Sequence, residues 1–141
     1  MSSLKKYYTD FYLKSSLDGK FPNEYVVRMF KGVYPNLKLS QLDFNGKKIC
    51  DIGCGDGRNL LALNTLGSEL YGTEITDEIS SSVQEQLADV GITVIVKTGE
   101  NKKLPFLNEY FDYLLSWNSC YYMGEKESYN SFDDYVKEFS R

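Results

Sequence analysis

The 141-residue sequence predicts an α/β fold with a mainly parallel sheet. From Lys47 onward, short apolar and β-branched runs alternate with stretches of helical periodicity, the pattern of βαβ units. A glycine-rich turn, Asp51-Ile52-Gly53-Cys54-Gly55-Asp56-Gly57-Arg58, joins the first such run to the first helix that follows. A composition of 42% hydrophobic residues with 15% aromatics is enough for a packed domain.

The chain divides near Asn45-Gly46, into an N-terminal helical cap (1–45) and a ligand-binding α/β core (46–141). Leu4, Tyr7, Tyr8, Phe11 and Tyr12 are spaced for a helix over Leu4 to Leu17, which Asp18-Gly19 stops. Pro22-Asn23 opens a second helix with Tyr25, Val26, Met29 and Phe30 inward and Gly32 beyond its end. Lys48 to Ile52 is the first strand. Arg58 to Leu66 is a helix with Leu60, Leu61, Leu63 and Leu66 inward, and Gly67 stops it. Glu69 to Glu74 is the second strand. Thr76 or Asp77 caps the next helix, whose Ile79, Val83, Leu87 and Val90 recur on one face before Gly91. Ile92 to Lys97 is the third strand and Phe111 to Ser116 the fourth. Tyr129, Phe132, Tyr135, Val136 and Phe139 mark a last amphipathic helix.

Inventory narrows the chemistry. There is no histidine, which removes the commonest general base and every Ser-His or Cys-His nucleophile pair. Cys50, Cys54 and Cys120 form no CxxC pair, so reduced thiols are expected and no metal site. Sixteen basic against twenty acidic residues, without a basic block, argue against nucleic acid as a partner. No apolar run approaches the ~20 residues of a membrane span, and no signal-peptide core is visible, so no membrane association and a cytoplasmic location are expected.

The glycine-rich turn is suited to a nucleotide-like cofactor. A side chain at Gly53 or Gly55 would hold a ligand off the backbone, and the following helix points free N–H groups toward it. Glu74, at the end of the second strand, is placed to accept from both ribose hydroxyls. The dinucleotide fingerprint G-x-G-x-x-G would need glycine where Arg58 stands, and Asp51 would repel a pyrophosphate. A ligand with a positively charged end tolerates that carboxylate.

The segments KKICDIGCGDGRNLLAL and LYGTEIT resemble motif I and the acidic position after it in class I S-adenosylmethionine-dependent methyltransferases. Gly99-Glu100-Asn101 with Leu104-Pro105-Phe106, and Phe111 through Asn118, are similar to that family's motif II and fourth-strand regions. The resemblance implies a Rossmann-like, doubly wound fold with S-adenosyl-L-methionine as cofactor. It implies Asp51 near the cofactor's ammonium group, and Gly53 and Gly55 along its methionine and ribose. It further implies Glu74 on the ribose hydroxyls, Glu100 and Asn101 at the adenine edge, and Trp117 and Asn118 near the sulfonium. The acceptor it implies is a small or sugar-like molecule with an O or N nucleophile.

The sequence departs from the family in two places. Where many relatives have a histidine-containing stretch after the fourth strand, this chain has Asn118-Ser119-Cys120-Tyr121-Tyr122, leaving Tyr121, Tyr122 and Glu125 as the nearest acid–base candidates. The family's sheet also continues beyond the last helix, so a truncated chain or a homo-oligomer that completes the sheet edge is expected. Tyr7, Tyr8 and Tyr12 would make a lid over the cofactor or simply pack on the core. The rival readings are a cofactor-binding module without catalysis of its own and a nicotinamide-dependent oxidoreductase. A nucleic-acid methyltransferase is disfavoured by charge.

Overall fold

A computed structural model of the chain describes residues 3–32, 41–120 and 131–141. Its elements in chain order are α1 (Ser3–Leu13), α2 (Glu24–Lys31), β1 (Lys48–Ile52), α3 (Arg58–Asn64), β2 (Glu69–Glu74), α4 (Asp77–Asp89), β3 (Val94–Thr98), β4 (Tyr113–Ser116) and α5 (Ser131–Phe139). The four strands form one sheet in the order β3-β2-β1-β4, and every pairing is parallel. This is the Rossmann-like arrangement that the sequence predicts.

The register explains why β1 is the structural centre. Ile49 to Ile52 are all buried because neighbours cover both edges and both faces of the strand. Alternate residues feed two cores. Ile49 joins Leu60, Leu63, Leu70, Val83, Leu87, Val94 and Val96 on the helical face, where α3 and α4 cross over. Cys50 and Ile52 join Tyr71, Leu104, Phe106, Tyr110, Phe111 and Phe139 on the other. Leu17, Val26, Phe30 and Phe44 belong to the first of these cores, with α1 packed on α4 and α2 on α3. Leu63 is fully buried. Leu63→Ala is expected to destabilise the fold by about 2–5 kcal/mol, read as a shift in the urea midpoint at unchanged slope.

Element ends differ from expectation where apolar residues serve the core from outside regular structure. Leu17 is buried, yet α1 stops at Leu13 and Leu17 donates its backbone N–H to Gln86. The third helix stops at Asn64, with Leu66 packed from the turn beyond. Ile92 is buried ahead of β3, and Phe111 packs in the aromatic cluster ahead of β4. Val90, expected inward, lies past the end of α4 and is exposed. Tyr25, also expected inward, is half exposed and stacks on Trp117 at 5.7 Å. Thr76 caps α4 through the Ile79 N–H, and Asn23 caps α2 through the Tyr25 N–H. Tyr129 lies outside the described residues.

All four strands point the same way, so their C-terminal ends gather along one rim. From β1 the chain winds through β2 to β3 on one side, whereas β4 lies on the other. The rim beyond β1 is therefore a topological switch point, the place where parallel sheets open a crevice for ligands.

Candidate cofactor-binding site

The glycine-rich turn leaves β1 at this switch point. Gly53 and Gly55 sit at φ +66° and +61°, in the left-handed region that side chains disfavour. The turn is tied to β2 by three hydrogen bonds. Gly53 N–H donates to Thr73 Oγ1 at 3.2 Å, Cys54 N–H to the Thr73 carbonyl at 3.1 Å, and Gly55 N–H to Glu74 Oε1 at 2.6 Å. Space is as restrictive as φ. A Cβ on Gly53 would stand 2.6 Å from Ser119 Cβ, and one on Gly55 would stand 2.8 Å from the Tyr12 ring.

Three carboxylates surround the turn. Asp51, only 1% exposed, ends the inward face of β1, and among the described residues neither of its oxygens has a hydrogen-bond partner. Burial, then the Glu74 charge, pushes its pKa up to about 8, and the nearby Asn59 amide opposes this without closing a hydrogen bond. Glu74 is buried too. Its Oε2 accepts from Ile75 N–H at 3.0 Å. Burial raises it to about 7 despite the two backbone donors. Asp56 has the opposite fate. Although it too is largely desolvated, Arg58 reaches it through Nε at 2.8 Å and a terminal nitrogen at 2.5 Å, Ser15 Oγ donates at 3.2 Å, and its pKa falls.

Two clefts open on the turn and share Tyr12 and Gly53 as a common wall. The first, about 330 Å³, is lined by Glu74, Ile75, Glu100, Asn101, Ser119 and other residues. The second, about 300 Å³, is lined by Gly55, Asn59, Trp117, Asn118 and their neighbours. Asn101 donates to the Ser119 carbonyl at 3.0 Å and so links the loops that follow β3 and β4. Asn118 is exposed and adopts φ +56°, a conformation asparagine tolerates. All eight residues expected to hold the cofactor thus lie on or directly beneath one continuous rim. Tyr121, Tyr122 and Glu125 lie outside the described residues.

Sequence reasoning missed Ser119, Asn59 and the role of Asp56. Ser119 is buried, with its hydroxyl 2.6 Å from that of Ser116. Nothing local in the sequence distinguishes it from a loop serine. Asn59 had a signal, an amide in the first turn of the helix after the glycines. The Asn59 Oδ1 accepts from the Asn23 N–H at 2.9 Å, which fixes the start of α2 to this site.

These residues fit S-adenosylmethionine. Among the described residues the buried Asp51 oxygens have no hydrogen-bond partner, which suits a cationic amino-acid end at that depth, directly or through water. Glu74 has spare lone pairs for hydroxyl donors besides its two backbone bonds. A pyrophosphate would face the Asp51 and Glu74 carboxylates where the turn leaves β1, beside an Arg58 already paired with Asp56, although Lys5 and Lys102 also line the first cleft. No group of three or more potential metal ligands occurs among the described residues.

Known proteins share this fold. Among solved structures, a SAM-dependent methyltransferase from Aquifex aeolicus superposes with a TM-score of 0.60 at 18% identity, covering 84% of this chain and 61% of that one. A structure described by the conversion of a disulfide bond into a thioacetal group during echinomycin biosynthesis gives 0.73 at 16% identity, covering 98% and 56%. A putative sarcosine dimethylglycine methyltransferase from Galdieria sulphuraria gives 0.63 at 14%, again covering 98% and 56%. The chain therefore spans less than two thirds of each of these proteins. At such identities the likeness shows the fold alone. No curated protein sequence matches. A family model described as a methyltransferase domain matches residues 49–137, more than half of the sequence and all of the rim described above, and the chain belongs to that family.

Proposed function

We infer that the chain is the cofactor-binding part of an S-adenosylmethionine-dependent methyltransferase acting on an O or N atom of a small or sugar-like acceptor. The observation that carries this reading is the buried, unpartnered Asp51 carboxylate beneath a glycine turn whose next strand ends in Glu74. In this reading Asp51 faces the ammonium group, Glu74 the ribose, Glu100 and Asn101 the adenine, and Trp117 and Asn118 the reacting end. The cofactor supplies a methyl group on an already activated sulfonium. The protein's part is alignment and exclusion of water, for which no histidine is needed. A small acceptor is supported by the echinomycin-biosynthesis and sarcosine dimethylglycine methyltransferase structures, both associated by name with small molecules. The segment 1–45 is read as a cap over the rim.

A second reading is a binding module that does not catalyse alone. Retained binding of S-adenosylmethionine with no turnover on any acceptor would favour it. Turnover separates the two readings.

Calorimetric titration with S-adenosylmethionine and S-adenosylhomocysteine tests the site itself. The intact chain is expected to bind both, and Glu74→Gln to bind them about 10- to 100-fold more weakly, because the amide loses the charge and one acceptor oxygen and sets an NH2 against one of the two backbone N–H donors. No binding by the intact chain overturns the cofactor assignment.

A further inference from the structure

Tyr25 belongs to no core cluster, yet it is not a bare surface residue. Half exposed, its ring lies on that of Trp117 at 5.7 Å with an interplanar angle of 25°. Trp117 is the chain's single tryptophan and directly follows β4. Its indole N–H is buried with no hydrogen-bond partner among the described residues. An indole placed for packing alone ordinarily keeps that donor paired, so this ring is held where it is at some cost to stability. Trp117 lines the second cleft, and the aromatic pair therefore stands at the edge of it. Phe11 and Asn118 on the same lining are exposed whereas Gly55 and Asn59 are buried, so the cleft has an open mouth and a closed floor.

The polar groups of this cleft are fixed in sense. The Asn23 Oδ1 accepts from the Tyr25 N–H at 2.9 Å, and the Asn59 Oδ1 accepts from the Asn23 N–H at 2.9 Å. With both oxygens committed to backbone donors, each amide has its NH2 group left to offer. The ionised side chains of the lining are Asp56 and Arg58, and they are paired with each other at 2.5 Å. Neither sign of ligand charge therefore gains an unmatched partner. The first cleft differs, since Glu74, Glu100 and Lys102 line it. An aromatic face beside donors of fixed direction matches an uncharged ring that has an apolar face and oxygen acceptors round its edge.

We propose that the mouth of the second cleft is the acceptor site, built by Asn23 and Tyr25 at the start of α2 with Trp117 and Asn118, and that it takes a neutral, hydroxylated ring of the sugar class. The ring lays its C–H face on the Trp117–Tyr25 pair, and its oxygens accept from the Asn23 and Asn59 amides. The proposal rests on the reading above, in which the floor at Gly53 and Gly55 belongs to the cofactor and Trp117 with Asn118 faces its reacting end. It assigns the choice of acceptor to α2, which precedes the residues 49–137 that the family model matches. A wall built to hydrogen-bond ring oxygens rejects rings that lack them, because its donors are then left unpaired.

As the only tryptophan, Trp117 reports directly on this site. Quenching of its fluorescence in the full chain is measured with the methyl α-pyranosides of glucose, galactose and mannose, with catechol and with sarcosine, each with and without S-adenosylhomocysteine. Wild type is expected to bind at least one glycoside. Tyr25→Ala and Asn23→Ser are expected to bind it about ten-fold more weakly, the first through loss of the ring stack and the second through loss of one donor. Serine still caps α2, and Tyr25→Phe, which keeps the ring, is expected to bind as wild type. Affinity for S-adenosylhomocysteine, read by calorimetry, is expected to be the same in all of these chains. Binding of catechol or sarcosine but of no glycoside overturns the sugar class, and no quenching by any of these probes overturns the acceptor site. Glycoside binding undiminished in Tyr25→Ala and Asn23→Ser overturns the part given to α2. A variant that loses S-adenosylhomocysteine too overturns it as well, because α2 then serves the cofactor. Failure of the wild type to bind S-adenosylhomocysteine sinks the cofactor reading instead, and the titrations without it still decide whether the wall holds a sugar ring.

Discussion

Gly53→Ala is expected to cost the fold about 2–5 kcal/mol and to remove S-adenosylmethionine binding, the first read from urea denaturation and the second from calorimetric titration. Two separate penalties produce this figure. A left-handed φ costs a non-glycine residue about 1–2 kcal/mol. A methyl 2.6 Å from Ser119 Cβ then forces the loop after β4 away from the turn, an overpacking cost of about 1–3 kcal/mol. Gly46 separates the two, because it has nearly the same φ, +67°, and nothing within 4 Å of an added Cβ. Gly46→Ala is expected to lose only the conformational part, about 1–2 kcal/mol, with cofactor binding intact. Gly55→Ala falls between them, since the Tyr12 side chain can yield where the Ser119 Cβ, one bond from the backbone, cannot. Equal losses for Gly53→Ala and Gly46→Ala would show that the β4 loop gives way freely and that the close approach at Gly53 is unimportant.

The same contrast shows what the sequence could and could not convey. β1 and β2 were legible to the residue, at Lys48–Ile52 and Glu69–Glu74, because each follows a turn glycine, Gly46 or Gly67, and is buried on both faces, β1 ending at Gly53 and β2 at the helix cap Thr76. Helix ends were less so. Leu17, Leu66 and Ile92 look periodic because they serve the core, yet they do so from turns, where burial and helicity part company. Within the site, Asp51, Gly53, Gly55 and Glu74 could be read because their chemistry is local to one turn and one strand end. The contacts of Ser119 with Gly53 and of Tyr12 with Gly55 join segments more than 40 residues apart, and no periodicity records such a meeting. Tyr12 could be suspected as a lid from its helix, but the backbone it touches could not.

The ligand-binding affinity is expected to follow a bell-shaped pH profile whose rising limb belongs to Asp51. Its carboxyl titrates at about 8 rather than 3.8, and that of Glu74 at about 7 rather than 4.5, in both cases chiefly because burial disfavours the charge. The groups facing them are Asp56, held ionised by Arg58, and the thiols of Cys50 and Cys54, which burial keeps neutral. Below pH 8 a cationic ligand end must drive a proton off Asp51, so affinity rises up to ten-fold per pH unit from 6 towards 8. Above that the ligand's own α-amino group, with a pKa of about 8, loses its charge and affinity falls. The stability of the protein without cofactor runs the other way. Both carboxyls have folded-state pKa values above their unfolded ones, so between pH 5 and 8 the unfolded chain has released protons that the fold retains. Stability then falls as pH rises, by about 1.4 kcal/mol per unit for each group until its folded pKa is passed. Asp51→Asn removes the charge while keeping the shape. It is expected to raise the melting temperature at pH 8.5 towards its value at pH 5.5, and to flatten both limbs of the binding profile, because the falling limb also depends on the carboxylate that the ligand's ammonium group faces. A wild-type melting temperature that does not decline across this range would mean that Asp51 is ionised and solvated, and the argument for a cationic ligand beside it would fail with that result.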